Sequence, residues 1–169
     1  MSTLKVNSII PVAGVPTGGG GGIIQIKQAV KSNVQTTTAS YGSWVDIADL
    51  SVSITPTSSS SKILVNYSLM CSSDNTIIGI KLLRGSTAIG EGSGTPATTH
   101  YKASNFSWTG GNNLATMAKY VLDSPATTSA TTYKLQFAGH SGNMVTINDF
   151  QNYNNYLTDS SLTVMEVSA

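Results

Sequence analysis

The sequence predicts an all-β protein, a jelly-roll-like antiparallel β-sandwich preceded by an extended N-terminal arm. Three observations carry that prediction. An alternating segment, Leu50–Ile54, passes through the Pro/Ser/Thr turn Thr55–Ser61 into a nearly continuous apolar run from Lys62 to Tyr67. Leu122–Phe137 repeats the plan around Asp123-Ser-Pro125. About ten strand-sized segments recur at sandwich spacing, with turn formers between them and no convincing helix.

Residues Met1–Gly22 are expected to form a docking arm and a joint. Leu4–Ile10 alternates loosely, Pro11–Pro16 breaks regular structure, and Gly18–Gly22 is a run no element would hold. The run is not a phosphate loop, because no Gly-Lys-Ser/Thr follows it. Leu4, Val6, Ile9 and Ile10 are the apolar anchors of this arm, and the glycines let the body, residues 23–169, swivel on it.

Strands are expected in the body at Ile24–Val30, Ser43–Ile47, Leu50–Ile54, Lys62–Met70, Ile77–Leu83, Asn105–Trp108, Leu114–Leu122, Thr132–Phe137, Met144–Ile147 and Leu162–Val167. The separators are Arg84-Gly-Ser86, Gly90–Gly94, Thr109–Asn113 and Gly139–Asn143. Leu114–Leu122 contains good helix formers, but its length and its end at Asp123-Ser-Pro125 favour a strand. The last strand ends almost at Ala169, so the C-terminus is expected to be pinned in a sheet.

Composition removes several functions. A chain of 169 residues buries a core without a staple, and only 10% of its residues are charged, with a net charge of +1. That balance lacks the clustered basic face of a nucleic-acid binder. Ser and Thr make up roughly a quarter of the chain, a neutral surface whose contacts salt screens little. No signal peptide is evident and no apolar run has the length of a membrane span, so no membrane insertion is expected. Release by lysis suits such a chain. The lone Cys71 cannot form an internal disulfide and is expected to be a small buried hydrophobe.

Nothing resembles an enzyme's working parts, and no cofactor or metal is expected. His100 and His140 are the only histidines, with no nucleophile elbow and no Cys or His at metal-ligand spacing. The acids are scattered, and Asp123 is expected to bond its own backbone in a turn. One stretch stands apart. Asn148–Tyr156 mixes amides with three aromatic rings, making Phe150, Asn152, Tyr153, Asn155 and Tyr156 candidate contacts. Such a mixture serves a sugar site, a protein interface, or a loop covering the sandwich end. Trp108, beside Thr109–Asn113, is a weaker candidate, since Trp at a strand end is usually core.

Four blocks, Ser53–Val65, Leu82–Gly90, Leu122–Gln136 and Leu162–Ala169, resemble in this order a group of virion structural proteins of tailed phages, of marine or cyanobacterial type. The blocks are "SITP-SSSSKILV", "LLRGSTAI-G", "LDSP-TTSATTYK-Q" and a terminal "TVMEVSA". The opening Ser2–Ile9 is similar to the first segment of phage fibre proteins. The resemblance implies a homotrimeric short fibre or decoration protein of the virion, assembled in the host cytoplasm. Its partners would be itself, other virion proteins (capsid, portal or tail), and a host surface glycan if it is a receptor-binding head. His100–Ala115 and Gly139–Tyr156 match no block, and partner choice is expected there.

Overall fold

The computed structural model describes residues 22–94, 101–109, 113–150 and 157–168. Among them are eleven strands: β1 (Ile23–Lys31), β2 (Gln35–Thr37), β3 (Val45–Ile54), β4 (Lys62–Ser73), β5 (Thr76–Arg84), β6 (Thr87–Ile89), β7 (Asn105–Thr109), β8 (Ala115–Asp123), β9 (Thr131–Gly139), β10 (Val145–Ile147) and β11 (Ser160–Val167). Every pairing between strands is antiparallel.

The strands form two sheets. One runs β1-β11-β4-β8, with β10 following β11 along β4 and β2 beyond β10. The other runs β3-β9-β5-β7, with β6 and β7 sharing one edge of β5. This is the connectivity of a long ribbon wound on itself. First pairs with last (β1 with β11), then β3 with β9, β4 with β8, and β5 with β7. Contacts of β4 with β11 and of β5 with β9 close the two sheets of a jelly roll.

Alternation along the strands sets the core. Val65, Tyr67 and Leu69 of β4, Val164 of β11 and Met117 of β8 face Val52 and Ile54 of β3, Ile80 and Leu82 of β5, and Leu135 and Phe137 of β9. Cys71 is fully buried in this cluster, as expected for a small hydrophobe, and burial pushes its thiol up to about 12. β8 is a strand along its length, so tertiary pairing decides against its helix formers. The two expected strands Ser43–Ile47 and Leu50–Ile54 are one strand. It carries a bulge between Asp46 and Ser51, where Asp49 takes φ 66°. Gln35 clamps this bulge, accepting from the Ala48 amide and donating to the Asp46 carbonyl.

The two ends of the sandwich differ. One holds the start of β1, the β3–β4, β5–β6 and β8–β9 turns, and the end of β11. There a single rung of the first sheet, Glu166–Ile63–Asp123, places a carboxylate on each side of a buried isoleucine. Glu166 accepts from the Gln25 amide (2.6 Å) and from the Thr57 N–H and hydroxyl (2.7 Å each). Burial opposes its charge, but these donors outweigh burial and hold its carboxyl down at about 2. Both Asp123 oxygens accept from the single nitrogen Nη1 of Arg84 (2.8 and 3.0 Å), and one also accepts the Tyr133 hydroxyl (2.7 Å). Asp123 is therefore a clasp between the sheets. The expected turn-capping role is displaced because its side chain points inward, opposite Ile63, where a guanidinium is within reach. The opposite end collects residues 32–44, the Asp74–Asn75 turn and the connection from β9 to β10.

Candidate functional site

The outer face of the β3-β9-β5-β7 sheet carries an aromatic cluster at the end remote from Gly22. Tyr41 is its hub. Its ring stacks on Trp44 (centroids 5.5 Å apart, planes 14°) and meets Tyr101 (4.8 Å), Phe106 (5.6 Å) and His140 (5.9 Å). The Tyr41 hydroxyl donates to the Ile77 carbonyl at 3.0 Å, and burial pushes its phenol pKa up. Gly79 of β5 makes this convergence possible. A Cβ there would lie 2.8 Å from the Trp44 ring and 3.0 Å from those of Phe106 and Tyr41.

Trp108 belongs to the same face. It pairs with Ile77, one rung along from the Phe106–Gly79 pair, and is 66% exposed. A tryptophan at a strand end is usually core; Trp108, a candidate contact from the sequence, is exposed because β7 is inverted. Phe106 and Trp108 point out, while Asn105, Ser107 and Thr109 point in. The inward positions are spent on polar bonds: Thr109 bonds Ser73, and the Asn105 amide donates to the Ala118 carbonyl. The next rung is polar. Lys81, Gln136 and Asp46 lie side by side, with Lys134 and Gln136 both bonded to Asp46. The hydrogen bond from Lys134 holds the Asp46 carboxyl below the usual range. The Lys81 ammonium lies 4.7 Å from the Trp44 ring centre and 3.8 Å from Glu91.

The outer face of the other sheet is different in kind. The rung Ile26–Met165–Leu64–Leu122 is apolar across four strands, with Ile26 59% and Leu122 62% exposed. The next rung, Gln28–Thr163–Asn66–Tyr120, is uncharged and ends in a tyrosine 69% exposed. The rung beyond, Val30–Ser161–Ser68–Ala118, is uncharged as well.

Few of the sequence candidates lie in these surfaces. Trp108 lies on the same sheet face as the aromatic cluster, beside Phe106 on β7. Phe150 is half-buried behind Asn148 and Asp149, which are both buried. The head of the Asn148–Tyr156 stretch is thus an anchor. The Asn148 amide donates to the Lys31 and Asn33 carbonyls, and its oxygen accepts the Ser160 hydroxyl. Asn152, Tyr153, Asn155 and Tyr156 lie outside the described residues, as do His100 and the arm residues Leu4, Val6, Ile9 and Ile10. Sequence reasoning missed Tyr41, Trp44, Tyr101 and Phe106, which are scattered over 66 positions and meet only through the fold. Among the described residues no three of His, Cys, Asp and Glu are grouped to hold a metal.

No family model matches the chain, and no curated protein matches it. Solved structures similar to it include infectious bursal disease virus, Gx strain, at 12% identity and a TM-score of 0.43, covering 85% of this chain and 38% of that one. A VP2 subviral particle of the same virus is similar at 13% identity and a TM-score of 0.39, covering 94% of this chain and 43% of that one. The chain thus spans about two fifths of the length of those solved chains. A likeness at this level bears on neither function nor assembly.

Proposed function

We propose that this chain is a non-enzymatic structural protein of a tailed-phage virion, a homotrimeric short fibre or surface decoration docked by its N-terminal arm. The observation that carries the reading is a polarity. Gly22, where the arm joins β1, lies at the clasped end, held to Ser168, and the aromatic cluster lies at the other end. A body so built is tethered at one end and presents the other. Self-association is assigned to the uncharged outer face around Ile26, Leu64, Leu122 and Tyr120, since a free monomer rarely exposes so continuous an apolar band. The three rungs through Leu64, Asn66 and Ser68 are also compatible with a copy of themselves, because they carry no like charges to repel; Lys62, one rung on, donates to the Ser124 hydroxyl. The four sequence blocks that resemble phage virion proteins support the reading from another side. They supply the partners of both clasps: Thr57 with Glu166, and Arg84 with Asp123 and Tyr133.

The experiment is deletion of Met1–Gly22. The β-body pairs from Ile23 onward, so the truncated protein should keep its melting temperature within a few degrees while losing incorporation into particles. Truncated protein recovered on virions at normal copy number rejects the docking role. A second reading, a receptor-binding head for a host glycan, is favoured by one observation: the aromatic face lies at the end remote from Gly22.

A further inference from the structure

We propose that the outer face of the β3-β9-β5-β7 sheet binds a neutral saccharide, with the rings of Trp108, Phe106 and Tyr101 as its stacking platform. The proposal deepens the receptor-binding reading by naming the ligand class and the residues. Four features of the face carry it. First, β7 is inverted: an edge strand that turned Asn105, Ser107 and Thr109 outward would be the ordinary arrangement, and here two aromatic side chains occupy that face instead. A departure from patterning of this kind is expected where a surface has work to do.

Second, Gly79 leaves the sheet bare beneath three rings, so the cluster lies low against the strands and is fixed by mutual ring contacts and by the Tyr41–Ile77 bond. Phe106 and Tyr101 are thereby held against Tyr41, and rings held in this way lose little entropy on binding. Third, the ring platform is bordered directly by directional groups. The Gln136 amide, the Asp46 carboxylate and the Lys81 ammonium lie one rung away, and His140 lies against Tyr41. A sugar needs this pairing of an apolar ring face for its C–H surface with donors and acceptors for its hydroxyls.

Fourth, the charges cancel locally: Lys134 pairs with Asp46 and Lys81 with Glu91. The face therefore offers no net field for an anion or a cation, which selects a neutral ligand. The same observations distinguish it from a protein interface, whose buried centre is depleted of charge. The face around Leu64 and Leu122 has that character, and this one does not.

The chain contains two tryptophans, Trp44 and Trp108, and both lie on this face, so tryptophan emission, excited selectively over the tyrosines, reports on it. Purified full-length protein is titrated with neutral oligosaccharides of glucose, N-acetylglucosamine, mannose, galactose and fucose, with a sialylated trisaccharide as the charged control. At least one neutral probe should give a saturable change at millimolar concentration or below. Trp108→Ala and Tyr101→Ala should each weaken it at least tenfold with the melting temperature unchanged. Gly79→Ala, which displaces three rings without touching solvent, should weaken it as well. No saturable change with any neutral probe overturns the proposal, as does preference for the sialylated control or wild-type binding by Trp108→Ala. Loss of the oligomer in Trp108→Ala also overturns it and assigns the face to a protein contact. If saccharide binding requires Trp108 but virions carrying Trp108→Ala adsorb to host cells normally, the site stands and the receptor reading fails.

Discussion

Glu166 shows how a single residue can be legible as a type and illegible as a role. Its place in an alternating strand predicts a side chain on one face, but not that the face is the core. Glu166 is fully buried, and three donor groups of Gln25 and Thr57 fix it as a carboxylate. A folded-state pKa held at about 2, below the ordinary carboxylate value, ties stability to deprotonation. Its contribution is complete above the unfolded pKa of about 4.5 and is lost as pH falls toward 2. Glu166→Gln should therefore lower stability at pH 7 by about 2 kcal/mol. It should also flatten the loss of stability between pH 4.5 and pH 2, followed by urea melts across that range. A variant whose acid sensitivity equals wild type contradicts this assignment. Asp123 repeats the lesson. Asp-Ser-Pro announces a turn, and nothing local announces that Arg84 and Tyr133 wait across the sandwich.

At the scale of elements, the sequence revealed the strands that alternate or run apolar and concealed those that do neither. β4, β5, β9 and β11 lie within a residue or three of expectation, because each buries one face against the opposite sheet; β1 lies within one residue, and its alternating Ile24, Ile26 and Val30 are exposed on the outer face. β2 and β6 are three residues each, too short to show a period; β6 sits on the edge of the longer β5, and β2 pairs with β10, itself three residues. The split reading of β3 has its cause in the bulge at Ala48–Asp49, where the register slips. Asn148 illustrates how a short strand is held in place. It follows β10 with φ 67°, and its side chain ties β1 and the segment after it to β11. Asn148→Ala should cost about 4 kcal/mol, from two lost donations to the Lys31 and Asn33 carbonyls, a Ser160 hydroxyl left without its acceptor and a strained φ. Asn148→Gly should recover about 1 kcal/mol of this, since only the backbone strain is relieved. Thermal denaturation of both variants checks the order, and equal losses would show that the left-handed backbone plays no part.

For the whole molecule, the fold class was readable and the surfaces were not. A jelly roll follows from strand number, turn grammar and a wound ribbon of pairings. The aromatic face was invisible because its rings come from before β3, from the segment leading into β7, from β7 itself and from after β9. The apolar band was hidden for a related reason. Ile26, Leu64, Leu122 and Met165 each look like ordinary members of alternating strands until the register lines them up. On that alignment rests the proposed contact between copies of the chain, through the outer face of the β1-β11-β4-β8 sheet. Multi-angle light scattering of the purified protein and of Leu122→Lys at micromolar concentration tests it most directly. A charge at an exposed position leaves the fold within about 0.5 kcal/mol of wild type, so the comparison isolates association. Wild type is predicted at three times the chain mass and Leu122→Lys at one; a monomeric wild type, or a trimer indifferent to the lysine, would contradict the assignment of this face.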